Sequence, residues 1–160
     1  MTLRIGHGMD AHRLVEGRPL MLGCTSIPND RGLAGHSDGD VVVHALCDAL
    51  LGAAGAGDMG QHFPSSEDRW RGTSGADFLR AVAALLAARG ARVVSAHVVA
   101  IAQDPRLAPY LGAMSGACAA ALGIDGTTVH VTATSSDGLG FTGRGEGIAA
   151  SAVVLLDDET

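Results

Sequence analysis

From Leu3 onward the chain alternates. Leu3, Ile5, His7 and Met9 fall on one face of an extended segment, and Arg4, Gly6, Gly8, Asp10 and His12 fall on the other. That period predicts a strand over residues 3–12, and a second short strand is predicted at Leu20–Gly23. Gly32 to Asp40 reads as a polar loop. Asp38 or Asp40 is placed to cap a helix that runs to about Ala54, where Gly55, Gly57 and Gly60 end it. Phe63–Gly75 is polar and predicts a mobile loop. An amphipathic helix over Gly75–Arg89, closed by Gly90, precedes a strand at Arg92–Gln103. Pro105 opens a helix at Ala108–Leu122 that Gly123 stops, and strands follow at Thr127–Thr134 and Gly147–Asp157. Strands separated by helices, with a run of strands at the end, predict an α+β fold. The expected form is a mixed β-sheet with helices packed on one face, a ferredoxin-like sandwich. No repeat, linker or boundary interrupts residues 1–160, so one domain is expected.

Composition narrows the function classes. Hydrophobic residues make up 47% and charged residues 18%, a globular balance rather than a disordered one. Aromatics are only 3%, so the core must be built from Ala, Val and Leu with close backbone approach. A formal net charge of −6 argues against a nucleic-acid or anionic-membrane surface. The longest apolar stretch, Val41 to Leu51, is broken by His44 and Asp48 and is too short to span a bilayer. No apolar leader precedes the first strand, and Cys24, Cys47 and Cys118 suggest no disulfide framework. A cytoplasmic protein with reduced thiols is expected.

The candidate chemistry starts with Asp10 and His12, which leave the same face of one strand and suit a borderline divalent metal. A third ligand must come from His36, His44, His62, His97 or His130. His44 is the best placed, in the first turns of the helix after the polar loop, with Asp48 one turn further on to orient it. Cys47 lies close enough in sequence to approach a metal, but a buried hydrophobe is its simpler role. His36-Ser37-Asp38-Gly39-Asp40 gathers imidazole, hydroxyl and N–H groups before a helix N-terminus, where anions bind. Ala133-Thr134-Ser135-Ser136-Asp137, followed by the glycine-rich Gly140 to Gly147, offers hydroxyls and an acid for phosphate oxygens and a second, hard cation. No Ser–His or Cys–His pair stands out.

These residues resemble the 2-C-methyl-D-erythritol 2,4-cyclodiphosphate synthase family of the non-mevalonate isoprenoid pathway. The resemblance runs through Arg4 to His12, Gly35-His36-Ser37-Asp38-Gly39-Asp40, His44 and Asp58-Met59-Gly60. It continues through Ala102-Gln103-Asp104-Pro105-Arg106 and ends in Leu139 to Gly147. It implies a homotrimer with active sites between subunits. It further implies Zn2+, or another divalent transition metal, on Asp10, His12 and His44, and a second cation, Mg2+ or Mn2+, on Asp137. The implied reaction converts 4-diphosphocytidyl-2-C-methyl-D-erythritol 2-phosphate to the cyclic diphosphate and CMP. The substrate's own 2-phosphate attacks its β-phosphate, so that positioning and charge stabilisation fall to the protein.

The resemblance gives His36 and Ser135 the role of stabilising the transition state. Asp58 and Gly60 would hold the erythritol part, with further contacts from Asp10, Ala11, His12, His36, Ser37 and Met59. The segment Phe63, Pro64, Ser65, Ser66 and Glu67 would also touch substrate. Ala102, Gln103, Asp104, Pro105, Arg106, Leu107 and Ala108 of a neighbouring subunit would hold the cytidine diphosphate, with Thr134 and Ser135 and with contacts from Ser136 and Asp137. Phe141, Arg144 and Glu146 would line a cavity on the trimer axis that takes an isoprenoid diphosphate, or else form an ion-pair ring between subunits. The chain departs from the commoner pattern at Asp137 (for Glu), Ser135 (for Thr), Arg106 (for Lys) and Pro64-Ser65-Ser66-Glu67 (for an acidic run). A metabolite-binding trimer without the reaction, and a metal-dependent phosphohydrolase, are the competing expectations.

Overall fold

In the computed structural model, which describes residues 1–158, the first strand outruns its alternation: β1 spans Thr2–Glu16. Two short strands, β2 (Leu20–Leu22) and β3 (Thr25–Ile27), form a separate hairpin. β4 (Arg31–Leu33) lies in the stretch expected to be loop and pairs with the end of β1. β5 (Ala91–Ile101), β6 (Val129–Thr134) and β7 (Gly147–Asp158) complete a five-stranded sheet of order β4-β1-β7-β5-β6. β7 is antiparallel to both β1 and β5, while β5 and β6 are parallel.

The expected mixed sheet with helices on one face is therefore present. Its connectivity is β-β-α-β-α-β-β with a parallel pair, whereas a ferredoxin-like sandwich runs β-α-β-β-α-β. The parallel pair needs a long crossover, which a helix supplies.

The helices are α1 (Val41–Ala53), α2 (Met59–His62), α3 (Gly75–Ala88), α4 (Leu111–Leu122) and α5 (Gly140–Gly143). Asp40, not Asp38, caps α1, accepting the Val43 N–H at 3.1 Å. Asp38 instead accepts the Gly75 N–H at 2.7 Å, tying the start of α3 to the same loop. Residues 108–110 form a 3-10 turn before α4. Phe63–Gly75, expected as a free loop, carries a 3-10 turn at Asp68–Trp70. It is pinned by the Gly72 N–H to His36 O (2.9 Å) and the Asp38 N–H to Thr73 O (3.1 Å).

Helix α1 is apolar on nearly all sides and lies at the centre of the core, as such a helix must. It can lie flat on β1 because Gly6 and Gly8 have no side chain. A Cβ there would stand 1.9 Å from Ala49 O and 2.2 Å from Ala45 O, respectively. The opposite face of the sheet is exposed along β1 and at Val153 of β7. Leu3, Ile5, Met9 and Val153 are exposed there, Ile5 by 75% and Met9 by 62%. No helix among the described residues is long and apolar enough to cross a membrane.

Candidate metal centre and its cavities

The glycine contact brings the first turn of α1 over the end of β1. His12 Nε2 lies 2.8 Å and His44 Nδ1 lies 3.1 Å from the same oxygen, Asp10 Oδ2. One ligand atom from each of Asp10, His12 and His44 lies within 4.8 Å of the others, and this is the one such group among the described residues. The remote ring nitrogens are held by neutral groups. His12 Nδ1 donates to Gly39 O at 2.8 Å, and His44 Nε2 meets Ser37 Oγ at 3.1 Å. A carbonyl only accepts, so His12 Nδ1 carries a proton, and a neutral ring would turn its Nε2 lone pair toward an ion. With the far nitrogens occupied, one carboxylate oxygen and one nitrogen of each imidazole face a common point. The three donors suit a borderline divalent ion such as zinc.

Without an ion, the same contacts favour a proton on His12 facing the Asp10 carboxylate. Burial opposes ionisation of Asp10, but hydrogen bonds and charge from His12 and His44 outweigh it and hold the carboxyl below the usual range. Burial likewise disfavours charge on His12, yet Asp10 raises its pKa above the ordinary imidazole value.

His62, His97 and His130 stand elsewhere: His62 Nε2 bonds Ala56 O at 2.7 Å and His97 Nε2 meets Thr132 Oγ1 at 2.9 Å. Cys47 is fully buried, and burial pushes its thiol up, so it is a core residue and no ligand. Asp48 does not orient His44. It turns to α2 and accepts the Met59 N–H at 2.8 Å, and burial with the charges of Asp58 and Asp10 raises its carboxyl despite that bond.

Ser37, His44 and Asp10 also show the connectivity of a nucleophilic triad, a Ser–His pair that the sequence does not announce. Three features set it apart. Asp10 Oδ2 is shared with His12; Ser37 is only 7% exposed; and its Oγ also accepts the Gly39 N–H at 3.3 Å. The serine is a support for His44.

The three ligands open on a cavity of ≈ 320 Å³ that His36, Ser37, Met59, Gly60, Phe63 and Ser65 also line. His36 Nε2 is buried there without a hydrogen-bond partner among the described residues, and so is Trp70 Nε1. Asp58 caps α2 through the Gln61 N–H at 2.9 Å. Pro64, Ser66 and Glu67 lie outside this lining, and Glu67 pairs with Arg69.

A second cavity of ≈ 240 Å³ is lined by Ala102, Gln103, Pro105 to Ala108, Ala133, Thr134 and Ser135. No residue lines both, so within one chain the two sets of expected substrate residues face separate spaces. Asp104, Ser136 and Asp137 are not among the residues that line the second cavity. Ser136 Oγ bonds Thr142 Oγ1 at 2.6 Å, and Ser135 Oγ donates to Asp137 Oδ1 at 3.3 Å. Phe141 lines a third space of ≈ 290 Å³ with Ala11, His12, Arg13, Glu146 and Gly147, beside which Arg144 pairs with Glu146 at 2.9 Å.

Three residues near the metal centre carry no sequence signal. Trp70 and Phe78 wall its cavity, and their ring centroids lie 4.9 Å from that of Phe63. Arg18 reaches the loop behind it.

The chain is 54% identical over 156 residues to the 2-C-methyl-D-erythritol 2,4-cyclodiphosphate synthase of Moorella thermoacetica, covering 98% of this chain and 96% of that protein. The synthase of Geobacillus kaustophilus is 53% identical, with 96% and 97% covered. A solved structure of a 2C-methyl-D-erythritol-2,4-cyclodiphosphate synthase in a CDP-bound form superposes with a TM-score of 0.87 at 42% identity, over 96% of this chain and all of that one. The family model matches residues 3–157, and the chain belongs to the YgbB family.

Proposed function

We propose that the chain converts 4-diphosphocytidyl-2-C-methyl-D-erythritol 2-phosphate to 2-C-methyl-D-erythritol 2,4-cyclodiphosphate and CMP. The observation that carries this reading is the convergence of Asp10, His12 and His44 on a cavity that also holds an unpartnered His36 nitrogen. An oxygen of the 2-phosphate forms the new bond to the β-phosphorus. The bond from that phosphorus to the bridging oxygen breaks, and CMP leaves with the electron pair. Zn2+ on the three ligands and Mg2+ or Mn2+ near Asp137 would supply positive charge to the phosphate oxygens. His36 donates a hydrogen bond into the cavity where charge develops, and Ser135 does so from the second cavity. The Asp58–Gly60 turn holds the erythritol, and the Ala102–Ala108 segment with Thr134 holds the cytidine diphosphate.

The separate cavities and the exposed apolar residues of β1 and β7 support a homotrimer in which one subunit's second cavity meets its neighbour's metal centre. The third space, beside Phe141, Arg144 and Glu146, would then face the axis and take an isoprenoid diphosphate. Residues 1–160 act as one domain. The three free thiols, Cys24, Cys47 and Cys118, suit a cytoplasmic location.

Product analysis on zinc- and magnesium-loaded protein tests the reaction. Cyclic diphosphate with equimolar CMP supports it; inorganic phosphate means a hydrolase; binding without turnover means a metabolite-binding protein.

A further inference from the structure

The loop that carries His36 and Ser37 is anchored in alternation. The Ala34 N–H donates to Arg13 O at 2.8 Å, His36 O accepts from Gly72, and the Asp38 N–H donates to Thr73 O. These bonds tie residues 34, 36 and 38. The carbonyls of the residues between them, Gly35 and Ser37, are held by one side chain. Arg18 Nη1 donates to Gly35 O at 2.8 Å and Arg18 Nη2 to Ser37 O at 2.6 Å.

Arg18 is half-buried and sits just past the turn that ends β1, where Gly17 takes a left-handed φ of 75°. Its place is set from below by Gly32, whose missing side chain lets β4 close against the carbonyls of Arg18 and Pro19; a Cβ there would stand 2.5 and 2.2 Å from them.

The clamped loop supplies the partner of each metal-ligating imidazole. Ser37 Oγ meets His44 Nε2, and two residues on, Gly39 O takes the proton of His12 Nδ1. Fixing the Ser37 carbonyl fixes the position from which its hydroxyl bonds His44. Fixing the two carbonyls on either side of His36 fixes the backbone from which its ring extends.

We infer that Arg18 is a positioning residue of the metal centre: its guanidinium fork holds the 35–39 loop so that His12 and His44 present the correct nitrogens to the ion. The inference rests on the metal reading above. A fork with two parallel donors is what the geometry uses, and a lysine ammonium is a point donor that cannot reproduce it.

The test is zinc affinity, measured on metal-free full-length protein by competition with a chromophoric chelator, for wild type, Arg18→Lys and Arg18→Ala. Partners that orient ligands are worth about 10–100-fold in metal affinity. Arg18→Ala is expected to weaken zinc binding in that range and Arg18→Lys by an intermediate factor. In metal-free protein, at a pH where the ring is neutral, the ring 15N signals should show one tautomer for His12 in wild type and an averaged pair in Arg18→Ala. A loop support with no hold on the imidazoles would lower the melting temperature of the metal-free protein but leave affinity and tautomer unchanged, and that result overturns the inference. Should Arg18→Ala fail to fold, the Lys variant decides by the same two readouts. A wild type that binds no zinc overturns the metal reading and the clamp together; equal affinities in wild type and variants overturn the clamp alone.

Discussion

His44 Nδ1 lies 3.1 Å from Asp10 Oδ2, although the two residues stand 34 positions apart, one on a helix and one on a strand. The contact makes a three-point site out of a two-ligand pair. His44→Ala is therefore expected to lose more than about 100-fold in zinc affinity, beyond what an outer partner contributes. Elemental analysis after dialysis checks it. One zinc retained per chain would remove His44 from the site.

The distance between those residues depends on how closely α1 approaches β1. At Gly8 an added Cβ would stand 2.2 Å from the backbone oxygen of Ala45, which neighbours His44. Gly8→Ala must push the helix away, with an overpacking cost of about 1–3 kcal/mol. It should lower the melting temperature and weaken zinc binding together. Reduced stability with unchanged zinc affinity would mean that the helix yields elsewhere.

The charges at the centre predict opposite pH trends with and without metal. In metal-free protein His12 is raised by Asp10, so its stabilising contribution is complete below about pH 6.5 and is lost as pH rises through the higher folded value. Asp10 is lowered by the histidines, so its contribution is complete above about pH 4 and is lost as pH falls through the lower folded value. Both act fully between about pH 4 and 6.5. Bound zinc needs a neutral His12, so its stabilising effect grows as pH rises from about 6 to 8. Melting temperatures with excess chelator and with excess zinc should diverge across that span. Parallel curves would mean that no proton leaves on binding.

How much of this was legible follows from which interactions are local. Asp10 and His12 share a face because a strand repeats every two residues, and Asp40 begins α1 because a carboxylate at a helix N-terminus satisfies free N–H groups. Both follow from neighbours in sequence. Asp48 shows the limit: four residues from His44 puts it on the same helix face, but its partner is the Met59 N–H, which only the fold brings near. The three-residue β4 leaves no mark in the sequence because pairing with β1, rather than propensity, makes it a strand. Arg18 was silent for the same reason. Its two carbonyl partners lie 17 and 19 residues away and reach it only once β4 has closed on β1.

Asp137 offers the sharpest separation of chemistry from turn geometry. Its φ of 52° is left-handed, a region that Asn enters as readily as Asp, and its backbone N–H bonds Ser135 Oγ at 3.3 Å. Asp137→Asn thus preserves the turn and removes only the negative charge. If the carboxylate serves the second cation, directly or through a water, the Asn variant should need about tenfold or more Mg2+ for half-maximal turnover, the loss of one charge-assisted contact. Zinc content and melting temperature should not change. Asp137→Glu, which restores the charge on a longer arm, should keep near-normal magnesium dependence. An Asn variant with the wild-type magnesium curve would show that Asp137 does no more than shape the turn before Gly138.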